Sequence, residues 1–299
     1  MKIFKQFIKQ FSTTFAGLSI AFLAVSFQAS AKPVSLNFNG LKLNAEMNAI
    51  EDKKQPFYLI LHGTFAWHGM ELTTSIQSLL QEEDFGSLAF SLSLGINDRS
   101  GFFDCKQPIV SMHGNALQEI DQWVKFLKSE GYQNIVLVGH SRGGAQIAAY
   151  AHANQSVSKQ LFLIAPMTWQ KSKVAASFEK SNKKDLASLI ADINKEKLSK
   201  LEHQDILHCK DATITGQSFL SYYTSNPEKN TPSIISDTKM PTRLYLGTED
   251  AITDKIMQQK NLFEKNPNVS HLLIDGSDHF FRDFYADEMV TDMIETMQK

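Results

Sequence analysis

The sequence predicts an α/β protein built on a mostly parallel, doubly wound sheet. Short, near-continuous apolar runs, most of them stopped by Gly or Pro, recur from residue 57 to residue 276, and such runs suit parallel strands covered on both faces. Segments with apolar residues at helical spacing lie between them, and a repeating β-α-β-α order implies parallel strands joined by crossover helices. One of those junctions, "IVLVGHSRGGAQIAAYA", sets a serine between glycines where a strand ends and a helix begins.

The 299 residues are 42% hydrophobic and 21% charged, which suits one domain with an insertion or two small domains. The chain opens with Lys2, Lys5 and Lys9, an apolar run, and then Ala29-Ser30-Ala31. That order predicts a secretory signal peptide cleaved after Ala31. The run from Phe15 to Phe27 is interrupted by Ser19 and Ser26, and it is short for a bilayer span of roughly 20 residues. No later stretch is apolar enough to span, so the mature chain is expected in the periplasm or the medium, without a membrane span. Removing the three lysines takes the formal charge from −2 to −5, and a mildly acidic surface gives no reason to expect nucleic acid as a partner.

The mature chain begins with "VSLNFNG" (34–40), whose alternation reads as a half-exposed strand, and "LKLNAEM" is expected to pair with it across Asn39-Gly40. Six apolar strands follow, at 57–63, 88–94, 134–139, 161–166, 242–247 and 271–276. Leu117, Ile120, Val124 and Leu127 mark one helix, and Met289, Met293 and Met297 mark another near the C-terminus, where Met reads as core filler. About seventy residues separate the fourth of these strands from the fifth, too many for a structureless loop in a compact domain. A helical pattern at Leu186, Ile190 and Ile193 makes this stretch a largely helical cap over 167–237, set into a core of 32–166 and 238–299. Eight lysines against four acids between residues 171 and 200 read as a solvated basic face.

Ser141 carries the chemistry. Flanking glycines allow a sharp bend that exposes the hydroxyl at the strand's C-terminal edge, and the following helix aims backbone N–H groups at any anion formed there. A serine hydroxyl is a weak nucleophile, so the reading requires a base, an orienting acid and an oxyanion hole. His279, in "DGSDHFF" after the last strand, is the candidate base. Asp250, in "LYLGTEDAITDK", is the candidate acid, with Glu249 the near alternative; the order serine, acid, histidine matches this arrangement. The candidate oxyanion donors are the backbone N–H groups of Arg142 and of Thr64, with Phe65 the alternative to Thr64.

"HGTF", "GHSRGG", "GTEDAIT" and "DGSDHFF", in this order, resemble the α/β-hydrolase family over nearly all of residues 57 to 299. "HGTFAWHGMEL", "LSLGINDRSGFFDC" and "DHFFRDFYADE" look more narrowly like a group of exported bacterial α/β-hydrolases of unknown substrate. The resemblance implies the α/β-hydrolase fold, Ser141 as nucleophile, Asp250 as acid, His279 as base, and a cap inserted after Pro166. Two positions depart from the pattern: "GINDRSG" stands where many relatives carry a D-x-x-G-x-G-x-S turn, and Arg142 follows the nucleophile where an apolar residue is common.

His68, Asp98, Arg99 and Arg282 fall in the same strand-end loops and are candidate substrate-binding residues, an arginine there being suited to a carboxylate or phosphate; structural ion pairs are the competing reading. Cys105 and Cys209 are candidates for one disulfide in an oxidising compartment, which would pin cap to core. Glu202, His203, Asp205, His208 and Cys209 cluster in the cap without a second ligand pair at zinc spacing, so no metal is expected. The expected function is hydrolysis of an ester, thioester or amide of a small acyl substrate without a cofactor. Acyl transfer by the same residues and a non-catalytic binding role on the same fold are the alternatives.

Overall fold

The computed structural model describes residues 31–196, 199–224, 226 and 229–298; the expected signal peptide lies outside them except for Ala31. Strands β1 (Lys32–Phe38) and β2 (Leu41–Asn48) form the antiparallel hairpin, with Phe38 opposite Leu41. Asn39 and Gly40 have φ of 50° and 77°, the positive values that both central residues of a tight type I′ hairpin turn need.

The core then alternates: β3 (Pro56–Leu61), α1 (Glu71–Glu82), β4 (Gly86–Phe90), α2 (Asn115–Ser129), β5 (Asn134–His140), α3 (Arg142–Ala153) and β6 (Gln160–Ile164). An insertion follows, made of α4 (Lys171–Asn182), α5 (Leu186–Glu196), β7 (Lys200–Ile206), β8 (Cys209–Thr215), α6 (Gly216–Tyr223) and α7 (Thr231–Ile234). The core resumes with β9 (Thr242–Gly247), α8 (Ala251–Met257), β10 (Val269–Ile274) and α9 (Phe284–Gln298). Eight strands form one sheet in the order β1-β2-β4-β3-β5-β6-β9-β10, parallel from β4 to β10. This is the α/β-hydrolase fold.

Alternating strand residues supply the two cores. Leu59, Leu61 and Leu137 face Trp123 and Leu127 of α2 and Ile147 of α3. Ile60, Val136 and Val138 face Ile76 and Leu80 of α1 and Met289 and Met293 of α9, so the C-terminal methionine stripe is packing. Each fully buried side chain of this size contributes about 1.5–3 kcal/mol of transfer free energy, which is why both faces read as apolar in the sequence.

The insertion holds more than helices. β7 and β8 pair antiparallel, with register irregularities between Leu201 and Gln204 and between Gln204 and Ile206. These bulges break the two-residue alternation that would have announced a strand. The hairpin is tied to the core in two ways. Cys105, in the loop after β4, is disulfide-bonded to Cys209, 104 residues away. In addition, the Ile109 N–H donates to Thr213 O at 2.8 Å and Thr215 N–H donates to Ile109 O at 3.1 Å. No helix among the described residues is long and apolar enough to cross a membrane.

Candidate active site

The C-terminal ends of the parallel strands bring Ser141, His279 and Asp250 together. Ser141 occupies the one-residue turn between β5 and α3 at φ 54° and ψ −119°. Such a conformation costs a non-glycine residue on the order of 1–3 kcal/mol, and the surroundings enforce it. Ser141 N–H donates to Ile164 O at 2.8 Å, and its carbonyl accepts from Met167 N–H at 2.8 Å. Two glycines let the chain close on itself: a Cβ at Gly139 would lie 2.7 Å from Gly143 O, and a Cβ at Gly143 would overlap the His62 carbonyl.

The Ser141 hydroxyl is 3.0 Å from His279 Nε2, and His279 Nδ1 is 2.7 Å from Asp250 Oδ2. The second carboxylate oxygen of Asp250 accepts from Ile252 N–H at 2.9 Å, capping α8. Burial opposes ionisation of Asp250, but the hydrogen bonds from His279 and Ile252 outweigh it and hold the carboxyl below its usual range. An ionised Asp250 accepts the Nδ1 proton, which leaves Nε2 as the acceptor facing the serine. Glu249 takes no part in these contacts; its N–H donates to Ser277 O at 2.9 Å.

A second layer of histidines shapes the site. His140 packs 4.8 Å from the His279 ring, and its Nε2 donates to the His279 carbonyl at 2.8 Å; burial pushes its pKa down to about 4. His62 is fully buried, which drives its pKa well below the usual value. Its Nδ1–H donates to Gly63 O at 2.7 Å, and its Nε2 accepts from Leu92 N–H at 3.1 Å. These bonds pin the loop after β3, which carries Thr64, to the end of β4.

Arg142 is the first residue of α3, where a backbone N–H has no intrahelical acceptor. Its side chain reaches back to the other expected donor residue: Arg142 Nε donates to Thr64 Oγ1 at 3.0 Å. Arg142 and Tyr222 line two cavities that meet at this point. One, of about 160 Å³, lies against Gly63, Thr64, Phe65 and Gln146. The other, of about 300 Å³, lies between cap and core against Met167, Trp169, Phe178 and Tyr223.

The four expected substrate-binding residues lie on neither lining; each is engaged with the protein itself. His68 is buried with Nδ1 2.8 Å from Ser91 Oγ, and Asp98 is paired with Lys42 at 3.0 Å and Asn44 at 2.8 Å. Arg99 donates to Leu92 O, Gly101 O and His62 Nε2, so it braces the loop beneath the site. Arg282 is paired with Asp278 at 3.0 Å and lies 3.7 Å from Glu71. Asp98 and Arg282 are thus taken up by exposed ion pairs, and His68 and Arg99 are buried against hydroxyl, carbonyl and imidazole groups. The cap cluster disperses in the same way. Glu202 pairs with Lys200, His203 with Asp211 and Asp205 with Lys210, and although His208 lies near Cys105 and Cys209, both sulfurs are committed to the disulfide.

His113 and Tyr222 meet the Arg142 side chain, Met167 and Trp169 line the cap–core cavity beside it, and no sequence signal marks them. They belong to no short motif, and only the closure of the cap brings them together.

A family model described as serine aminopeptidase, S33, matches residues 109–280. Among solved structures, Est1E from Butyrivibrio proteoclasticus is similar with a TM-score of 0.63 and 15% identity, over 89% of this chain and 99% of that one. Alpha/beta hydrolase domain-containing protein 10 from mouse gives 0.62 and 15%, over 90% and 99%. A thermophilic esterase from Thermogutta terrifontis gives 0.57 and 14%, over 90% and 98%. At such identities the likeness is one of fold. No curated protein matches the sequence significantly.

Proposed function

Given that the chain belongs to the serine aminopeptidase S33 family of α/β hydrolases, we propose that it hydrolyses a carboxylic ester of a small molecule through an acyl-enzyme on Ser141. The observation that carries this reading is the hydrogen-bonded line Ser141 Oγ, His279 Nε2, His279 Nδ1, Asp250 Oδ2, at 3.0 and 2.7 Å.

In this mechanism the Ser141 Oγ attacks the ester carbonyl while its proton passes to His279 Nε2. The tetrahedral oxyanion is met by the Arg142 and Thr64 backbone N–H groups, each such donor being worth about 10²–10³ in rate. As the C–O bond to the leaving group breaks, the Nε2 proton goes to the departing oxygen. A water then attacks the acyl-enzyme and gives one proton to Nε2; collapse returns that proton to Ser141 Oγ and releases the acid. Asp250 holds the imidazole in the required tautomer throughout.

A peptidase acting at an amino terminus would be expected to place a carboxylate where the substrate's ammonium group sits. On the lining of the cap–core cavity stand the cations Arg142, Lys173 and Lys255, against Asp205, which is already paired with Lys210 at 2.6 Å. This balance favours an ester. Acyl transfer would use the same residues with an alcohol or amine in place of water. The disulfide fits an oxidising compartment and supports the reading of residues 1–31 as an export signal, with the mature protein in the periplasm or the medium.

The test is hydrolysis of p-nitrophenyl esters of increasing acyl length by the mature chain, residues 32–299, beside Ser141→Ala, with products analysed in the presence of added alcohols. Turnover that Ser141→Ala abolishes supports the hydrolase. Products acylated on the added alcohol in preference to the free acid would replace hydrolysis by transfer, and a folded protein inert to every ester would favour a binding role.

A further inference from the structure

The residue after the nucleophile departs from the family pattern, and its surroundings give that departure a chemical meaning. The Arg142 guanidinium lies under the cap. Its Nε donates to Thr64 Oγ1, its Nη1 meets His113 Nδ1 at 3.3 Å, and its Cζ stands 5.2 Å from the Tyr222 ring centre. None of these partners carries a negative charge. His113 is buried, and burial together with the charge of Arg142 holds its pKa well below the usual value, so it meets the guanidinium as a neutral acceptor. An arginine has five N–H donors, and among the described residues Nη2 of Arg142 has no acceptor.

A second cation lies close by. Lys229 is 1% exposed, donates to Ser221 O and Thr224 O and stands 5.5 Å from the Trp169 ring centre. Among the described residues no carboxylate pairs with either side chain. A cation held out of water without a counter-charge, as Lys229 is, is destabilising. The other arginines of the core use all their donor nitrogens or a carboxylate: Arg243 is bound by both oxygens of Asp292 at 2.7 and 2.9 Å, and buried Arg99 has an acceptor at each of its three nitrogens, whereas Arg142 has neither. The cap–core cavity beside Arg142 continues the theme, with Lys173 and Lys255 exposed on its wall. Trp169, on the same lining, has a buried indole N–H without an acceptor.

We propose that the cap–core cavity takes an anionic end of the substrate, a carboxylate carried on the acyl chain or on the leaving group, held by the Arg142 guanidinium with Lys173 and Lys255 at the mouth. The inference rests on the hydrolase reading above and deepens it: the arginine that replaces an apolar residue beside the nucleophile supplies the counter-charge that selects the substrate. The cavity of about 300 Å³ is at the lower end of the range for small-molecule sites, and Arg142, the residue after Ser141, stands on its lining, which sets the charged end beside the nucleophile's turn.

The experiment compares kcat/KM within matched ester pairs. The acyl arm sets the mono-p-nitrophenyl ester of glutaric acid against p-nitrophenyl butyrate; the leaving-group arm sets 4-carboxyphenyl butyrate against phenyl butyrate. In at least one arm the anionic member is expected to be favoured by about 10–150-fold, the range for a hydrogen bond to a charged group, and that arm identifies which end carries the charge. Arg142→Met is expected to bring the ratio near 1 and Arg142→Lys to keep part of it. Any loss common to both esters cancels in the ratio. The double variant Lys173→Ala/Lys255→Ala is expected to lower the ratio several-fold and to weaken its dependence on salt.

Equal or better use of the neutral ester in both arms, or an anionic preference that survives in Arg142→Met, would overturn the proposal while leaving the hydrolase intact. If no ester is turned over and Ser141 stays unlabelled by a fluorophosphonate, the hydrolase reading itself falls, and this one with it. Should Arg142→Met fail to fold, protection of wild-type Ser141 from fluorophosphonate by free glutarate answers the same question. Protection lost in the lysine double variant supports the site, and absence of protection in wild type refutes it.

Discussion

Replacing Asp250 by Asn isolates the orienting carboxylate from every other task of that residue. Asp250 uses one oxygen for His279 Nδ1 at 2.7 Å and the other for Ile252 N–H at 2.9 Å. Asn has one oxygen and one NH2. If the oxygen keeps the Ile252 bond, the NH2 faces Nδ1 and selects the tautomer protonated on Nε2, which has no lone pair for the serine proton. If the amide flips, NH2 confronts the Ile252 N–H and the helix cap is lost. Because Asn caps as well as Asp, the first arrangement is favoured and folding stays close to wild type. The expected loss is about 10⁴ in kcat, the usual effect of removing this carboxylate from a triad, or about 5.4 kcal/mol at 1.36 kcal/mol per tenfold. The assay is ester hydrolysis at saturating substrate, with thermal unfolding run in parallel. A folded Asp250→Asn within tenfold of wild type would show that the Nδ1 hydrogen bond does not set the tautomer.

Stability is expected to fall on mild acidification. His68 and His140 are buried with pKa values pushed down to about 4, so between pH 6.5 and 4 the unfolded chain holds protons the folded one lacks. The stability they contribute is complete above pH 6.5 and is lost towards pH 4, at about 1.36 kcal/mol per pH unit for each; urea unfolding at pH 7, 6 and 5 checks this, and a flat profile would contradict it. Gly143→Ala is expected to push α3 away from β3, because the new Cβ meets the His62 and Leu61 carbonyls; overpacking of this kind costs about 1–3 kcal/mol, and urea midpoints read it directly. Replacing Cys105 and Cys209 together by Ser is expected to destabilise the protein by about 2–5 kcal/mol and to open the cap first, since the bridge joins β8 to the loop after β4. Hydrogen exchange that rises over β7 and β8 ahead of the central strands would confirm the order.

What the sequence discloses and what it conceals follow from the range of the forces involved. The parallel strands were legible because burial on both faces writes an unbroken apolar run, as at Phe57 to Leu61 and Ile135 to Val138. Ser141 was legible because a strained turn needs Gly139 and Gly143 within a few residues of it. His279 and Asp250 followed from chain order and strand ends. The hairpin of β7 and β8 was hidden by its bulges, and the partners of Arg142 were hidden because Thr64, His113 and Tyr222 meet it only through the tertiary fold. Arg99 and Arg282 stood in suitable loops, yet carbonyls and His62 hold Arg99, and carboxylates hold Arg282. Position in a loop fixes where a side chain starts; the nearest compensating charge or acceptor fixes where it ends.

Activation of Ser141 is tested most directly by the stoichiometry and site of fluorophosphonate labelling, read by intact mass and peptide mapping on residues 32–299. One adduct per molecule is expected, on Ser141, formed rapidly in wild type, absent in Ser141→Ala and slowed by orders of magnitude in His279→Ala. A folded wild-type protein that stays unlabelled, or that labels equally fast without His279, would show that the hydrogen-bonded line from Ser141 to Asp250 does not activate the serine.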